Sequence, residues 1–377
     1  MNFFFLSGCH NQPASPGQTP ADAVSFKDGL VVIDLDKLEQ GEPIPFDSLF
    51  TGYEYIVNEH KDTFRVSGWE RLQFDGDKHF VGANIPASYI NLYDKTGNFI
   101  RRIGEQGRKI NQGQFNEIFN FCIDPANKMV YALAHKQGKV FKYNYAGQFC
   151  GTADILTAAI DRSTSDGRLR ESAISDFIAL TPSGDLLVHY AYWNGNLPYN
   201  FCLLDKNNTV VSTKKTMNRF NGKTRYGIEA NSYTYDGCLH VSDISDTIYA
   251  IRDRAFVPKY VLAQKYPLSK IADSLGCNVD LFQLDLPVYK ISTMQETDRY
   301  LFFSYIELNR KYSGVIKDMV YAYYDKRTKT AFKICTAGKM KKWTKDSISV
   351  SVLIVPKHSD SILTSSNKQG VIKLYLK

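Results

Sequence analysis

Leu72-Gln73-Phe74-Asp75-Gly76-Asp77-Lys78-His79-Phe80-Val81 sets two short apolar segments about a polar turn, and the chain repeats that arrangement. The second copy is Phe121-Cys122-Ile123, then Asp124 to Lys128, then Val130-Tyr131-Ala132-Leu133. The third is Phe177 to Leu180, a turn over Thr181 to Asp185, and Leu186-Leu187-Val188. A fourth turns at Tyr235-Asp236-Gly237, a fifth near Glu296-Thr297-Asp298 and a sixth at His358-Ser359-Asp360. Short apolar runs broken by Gly, Asn or Asp read as β-hairpins, because these residues accept the positive φ of tight turns. The turn centres lie about 50 to 60 residues apart, a period that belongs to propellers or solenoids.

About 20 residues after each hairpin comes a second turn, as a repeat of paired hairpins requires. Tyr93-Asp94-Lys95-Thr96-Gly97-Asn98-Phe99 is echoed by Tyr143-Asn144-Tyr145-Ala146-Gly147-Gln148-Phe149, and more weakly by Leu204 to Asn208 and Tyr324 to Arg327. Each repeat is therefore four antiparallel strands. Six such units predict an all-β fold, a six-bladed β-propeller of four-stranded antiparallel blades. Only three strands fit after Ser347: Ile348–Val355, Ser361–Ser365 and Val371–Leu376. Tyr53 to Val57 supplies the missing one, so the last blade is expected to be closed by an N-terminal strand, which removes an open sheet edge. Two unrelated β-sandwiches are the alternative, and they predict no regular period.

Bulk composition agrees. The chain has 377 residues, 44% hydrophobic and 23% charged, enough apolar material for a large core. Its 24 Tyr and 23 Phe suit pleated, half-buried surfaces. A formal charge of +7 is too mild and dispersed to argue for nucleic acid. No apolar run reaches the roughly 18 residues that span a bilayer.

At the N-terminus, Leu6-Ser7-Gly8-Cys9 resembles a bacterial lipobox, with Cys9 as the lipidated residue. No basic segment precedes it, so residues 1–9 read as a truncated signal. Residues 10–29 begin rich in Pro, Ala, Ser and Gln and read as a flexible tether, and residues 30–377 as the propeller domain. None of the other six Cys forms a CxxC pair, and Cys122 and Cys202 read as small buried hydrophobes.

The run Tyr93 to Gly104 resembles NHL-type propeller repeats. The layout as a whole is similar to six-bladed β-propeller lipoproteins of Bacteroidota. The residues that carry this are Val32-Ile33-Asp34-Leu35, the Ile103-Gly104-Glu105-Gln106-Gly107 loop, Asp246-Thr247-Ile248-Tyr249 and Pro258-Lys259-Tyr260. The resemblance implies export and propeller architecture, with no particular activity. The chain departs from it after Gly107, with Gln114 before Phe115 where the family tends to have an acid.

Function is sought in the loops. The connections within hairpins are short, whereas those between hairpins and between repeats are long, at Gly104–Gln114, Thr152–Ser172, Ala191–Tyr199, Lys214–Gly227, Gln264–Pro287 and Glu307–Asp318. Length concentrated on one face points to a binding surface. The candidate ligand-binding residues are Arg108, Tyr192, Trp193, Lys215, Arg219, Arg225, Arg310 and Tyr312. These cations and flat rings suit an anionic glycan or peptide. Glu70, Glu117, Asp176 and Glu229 stand near the starts of innermost strands as a candidate polar channel mouth.

No Gly-x-Ser-x-Gly, His-Glu-x-x-His or Walker motif is present, and no catalytic residue is assigned. The expectation is a monomeric outer-membrane lipoprotein of the periplasm or cell surface. It meets the membrane through its lipid anchor alone and binds a glycan, peptide or protein. No cofactor is expected beyond, at most, a structural or channel divalent cation such as calcium. A metal-dependent lyase or lactonase using the central channel is the alternative.

Overall fold

A computed structural model describes residues 23–41, 50–57, 71–75, 78–82, 89–95, 98–155, 175–190, 199–216, 230–243, 245–267, 270, 288–308, 320–336, 362–366 and 370–376. The regular elements over these residues are β-strands and short 3-10 turns.

The strands form consecutive antiparallel sheets in chain order. The first holds Arg71–Asp75, Lys78–Gly82, Ile90–Asp94 and Phe99–Ile103, and the second Asn120–Asp124, Met129–Ala134, Lys139–Asn144 and Phe149–Asp154. The third holds Ser175–Leu180, Leu186–Tyr190, Phe201–Leu204 and Val210–Lys214. The fourth is built on Asn231–Tyr235, Cys238–Ser242, Thr247–Arg252 and Ala255–Ala263. The fifth is built on Val288–Glu296, Tyr300–Leu308, Val320–Asp325 and Thr330–Thr336. The sixth pairs Ile362–Ser366 with Gly370–Leu376, and Gly370–Leu376 with Phe50–Val57. The expected strand 348–355 and the turn at His358 lie outside the described residues.

The turn chemistry read from the sequence is what shapes the hairpins. Asp236 and Gly237 both have positive φ, 50° and 65°, the two-residue turn whose twist matches its flanking strands. In the second turn of the first, second, third and fifth sheets one polar residue organises the loop. Asp94 Oδ1 accepts the Asn98 N–H, Asn144 Oδ1 the Gln148 N–H, Asp205 Oδ1 the Asn207 and Thr209 N–H groups, and Asp325 Oδ1 the Arg327 N–H.

The core lies between sheets. Along a strand, alternate side chains enter opposite interfaces. Phe121 and Ile123 pack with Leu92, Ile103 and Phe115 of the first sheet and its exit, whereas Cys122 packs with Ile178 and Val188 of the third. Leu187 and Phe201 meet Val241 and Tyr249 of the fourth, and Tyr260 and Leu262 meet Leu301 and Tyr324 of the fifth. Strands such as Leu186–Tyr190 are buried at every position because both faces of their sheet are covered. The first strands of sheets one and two, two and three, and four and five pack side by side. Cys122 and Cys202 fill interfaces as expected, and burial pushes both thiols up in pKa, Cys202 to about 12.

The N-terminal segment departs from its expected role. Val24–Lys27, within the stretch read as tether, is a strand that pairs antiparallel with Leu30–Asp34. Leu30–Asp34 in turn adds parallel to the outer strand of the fourth sheet, with Val31 opposite Tyr260. Glu39–Gln40 then adds parallel to the outer strand of the fifth sheet. The physical reason is burial: Ile33 and Leu35 are 0% exposed against the core between these sheets. A strand reaching that core also caps two open edges.

Candidate functional site

In each sheet the turns joining strands one to two and three to four share one end. The connection from strand two to three and the exit to the next sheet share the other. The short turns, such as 236–237 and 253–254, lie at the first end. The long intervals 191–200, 215–230, 264–287 and 309–319 all belong to the second.

At that long-loop end a buried charged array joins the third and fourth sheets. The strand Ser175–Leu180 is irregular between Ser175 and Phe177, which shifts the register at Asp176. His189 Nδ1 lies 2.7 Å from Asp176 Oδ1. The ring's other nitrogen, Nε2, is 3.8 Å from Oδ2 of Asp243, just past the fourth sheet's second strand. Asp243 is itself held by the Ser245 N–H, at 2.9 Å, and by the Thr216 hydroxyl, at 2.5 Å. Thr216 N–H donates to Asn200 Oδ1 at 3.1 Å, and Asn120 Nδ2 donates to the Asp176 carbonyl at 3.3 Å.

Burial works against a charged imidazole at His189, but the two aspartates outweigh it and raise the pKa to about 9. Burial likewise opposes ionisation of Asp243, and the His189, Thr216 and Ser245 contacts outweigh it and lower the pKa. The contacts on either side of the ring thus favour the protonated form of His189. His189 thereby bridges the third sheet and the loop of the fourth.

Around the array, Asp246 has its pKa raised to about 6 by burial, with Gln264 and Lys270 opposing. Glu117 pairs with Lys136 and lies 3.9 Å from His135 Nε2. Burial lowers the His135 pKa, and the Asp176 charge acts on that ring in the opposite sense.

Of the sequence-read channel-mouth residues, Glu117 stands by His135 and Lys136, and Asp176 by His189. Asp176 is buried against His189, where the sequence suggested an open mouth; the register irregularity turns it there. Glu70 and Glu229 lie outside the described residues. Arg108 is exposed on the exit from the first sheet, and Lys215 is exposed on the exit from the third. Tyr192, Trp193, Arg219, Arg225, Arg310, Tyr312 and Cys9 lie outside the described residues. Gln114, at the departure from the family pattern, ties the first exit loop together: its Oε1 accepts the Lys109 N–H and its Nε2 donates to Glu105.

Sequence reasoning missed His189, Asp243 and Thr216. The available signal was a histidine inside the otherwise apolar Leu186-Leu187-Val188-His189-Tyr190, a polar group that must find a partner where the strand is buried. It also missed a second array at the short-turn end. There Glu296, 2% exposed, accepts from Tyr233 and Tyr260 hydroxyls at 3.0 and 2.6 Å, and pairs with Lys259 and Lys326 at 3.1 and 2.7 Å. Both ammonium groups also stand over the Tyr235 ring, at 4.9 and 4.2 Å. Lys259 belongs to the Pro258-Lys259-Tyr260 element singled out in the sequence.

These features define an all-β protein of repeated, serially packed four-stranded sheets. Residues 30–362 match the family model described as "Domain of unknown function (DUF4934)", and the chain belongs to that family. Two solved structures share the fold. A Bacteroides fragilis protein described as exported aligns with a TM-score of 0.63 at 15% identity, over 92% of this chain and 99% of its own. A member of the DUF4221 family from Bacteroides vulgatus aligns with a TM-score of 0.50 at 9% identity, over 86% and 98%. No curated protein sequence matches. No helix among the described residues is long and apolar enough to cross a membrane.

Proposed function

We propose that this chain is an exported, lipid-anchored, six-bladed β-propeller that binds an anionic glycan or peptide on its long-loop end. The observation that carries the reading is the division of connections within and between sheets, with tight turns at one end and the intervals 191–200, 215–230, 264–287 and 309–319 at the other. Side-by-side first strands and serial packing of consecutive sheets support a radial arrangement. The pairing of Phe50–Val57 with Gly370–Leu376 supports closure by the N-terminal strand. Export and the Cys9 anchor rest on the lipobox resemblance and on the likeness to propeller lipoproteins. The cations of the Lys214–Arg225 stretch, with Lys215 exposed, favour an anionic ligand.

The test is retention on immobilised polygalacturonate with Lys215, Arg219 and Arg225 changed together to Ala. The reading expects weaker, salt-sensitive retention, and retention equal to the parent protein rejects it. A metal-dependent lyase or lactonase has less support, because the Asp176 carboxylate is already engaged by His189 at 2.7 Å.

A further inference from the structure

Resting on that reading of the long-loop end, we infer that Thr216 is a positioning residue. By its two tethers, to Asn200 and Asp243, it fixes the root of the third exit loop and sets where Lys215 meets the ligand.

Three consecutive residues carry the argument. Lys214 is still in the sheet: it lies opposite Phe201, its carbonyl accepts the Asn200 N–H at 2.9 Å, and its ammonium stands 4.7 Å from the Tyr249 ring centre in the fourth sheet. Thr216 has left the sheet but is held twice, by its N–H on Asn200 Oδ1 and by its hydroxyl on Asp243 Oδ2. Lys215 stands between these fixed neighbours and is exposed. Two residues pinned on either side leave the middle one little backbone freedom, so the side chain leaves the backbone at a defined point and only its own rotamer entropy is lost on binding.

The anchor is strong because its acceptor is a buried carboxylate. Hydrogen bonds to charged acceptors are about twice as strong as neutral ones. Asp243 can be a buried anion because His189 faces it, and His189 is oriented by Asp176. A simple spacer between two strands would need none of this. The array links the innermost part of the third sheet, the loop after the fourth sheet's second strand, and the first residues of the basic exit.

The test uses the full chain and the immobilised polygalacturonate of the first experiment. Thr216→Val removes the hydroxyl and keeps the shape, and Thr216→Ser keeps the hydroxyl. The expected result is roughly fivefold weaker binding for Val and binding within about twofold of the parent for Ser, as loss and retention of one hydrogen bond require. Serine rescue is a readout that loss of side-chain packing would not give. Equal binding by the Val variant and the parent overturns the inference, and so does equal weakening by Val and Ser. If Thr216→Val does not fold, Asn200→Ala removes the other tether and is read by the same two outcomes against the parent. The triple substitution separates the two ideas. If it weakens binding while Thr216→Val does not, the binding surface stands and the anchor falls. If the triple variant also binds as the parent does, the surface itself is wrong.

Discussion

Asp176 and His189 face one another across neighbouring strands at 2.7 Å, and His189 is 1% exposed. The contact exists because the strand carrying Asp176 is irregular there. A regular ladder would alternate the carboxylate to the other face of the sheet. The histidine then reaches on toward Asp243, so one ring ties two strands of one sheet to the loop of the next.

That arrangement makes stability depend on pH in a stated direction. The folded pKa of His189, about 9, lies above its unfolded value of about 6.5. The contribution is complete below the unfolded value and is lost as pH rises from there through 9. The parent protein is expected to lose on the order of 2 to 3 kcal/mol of unfolding free energy relative to His189→Gln between pH 6 and pH 9.5. Urea unfolding of both proteins at three pH values checks it. A constant difference across the range counts against the ionised clamp.

At the opposite end, Glu296→Gln should be far more damaging than a surface change. The carboxylate compensates two ammonium groups and accepts two phenol hydroxyls while almost fully buried. Removing its charge takes from Lys259 and Lys326 the carboxylate they share, at a cost of about 3 kcal/mol. Lys326→Met, which keeps the charge balance of Glu296 with Lys259, should cost less than half of that. Chemical denaturation of the two variants ranks them, and the reverse order would dismiss Glu296 as the centre of the network.

Glycine supplies a third comparison. Gly104 has φ +77°, and a Cβ there would lie 2.5 Å from Phe115 Cε1, inside a core side chain. Gly29 has φ +80° with nothing within 4 Å of the same atom. Gly29→Ala should cost about 1 kcal/mol, the backbone term alone. Gly104→Ala should cost at least twice that, since Phe115 is 0% exposed and cannot move aside freely. Thermal denaturation of both measures the gap, and equal shifts would remove the steric part.

Much of the architecture was legible because hairpins are local. Asp94, Asn144, Asp205 and Asp325 announce their turns by residue type and spacing, and each does organise one. Phe50–Val57 could be placed through a counting argument, since the last repeat lacked a strand. Val24–Asp34 could not. Val24–Lys27 and Leu30–Asp34 pair locally about Asp28-Gly29, but the outer partner of Leu30–Asp34 lies more than two hundred residues away, and no local pattern states which outer strand an added strand will choose.

The site was less legible for a related reason. Acids at strand starts were visible, but whether Asp176 points to solvent or to His189 depends on a one-residue shift of register. Lys259 and Glu296 meet across two sheets, and nothing in either neighbourhood names the other.

The rim strands carry one more implication, for the order of assembly. Val31 takes Tyr260 as its partner, Glu39 takes Phe332, and Tyr55 takes Ile372. Leu30–Asp34 pairs at once with Val24–Lys27, but its other edge, Glu39–Gln40 and Phe50–Val57 all take partners made much later in the sequence. A polypeptide released early would present adhesive edges with nothing to dock on. Long-range pairing of this kind slows folding and lengthens the time such edges are exposed.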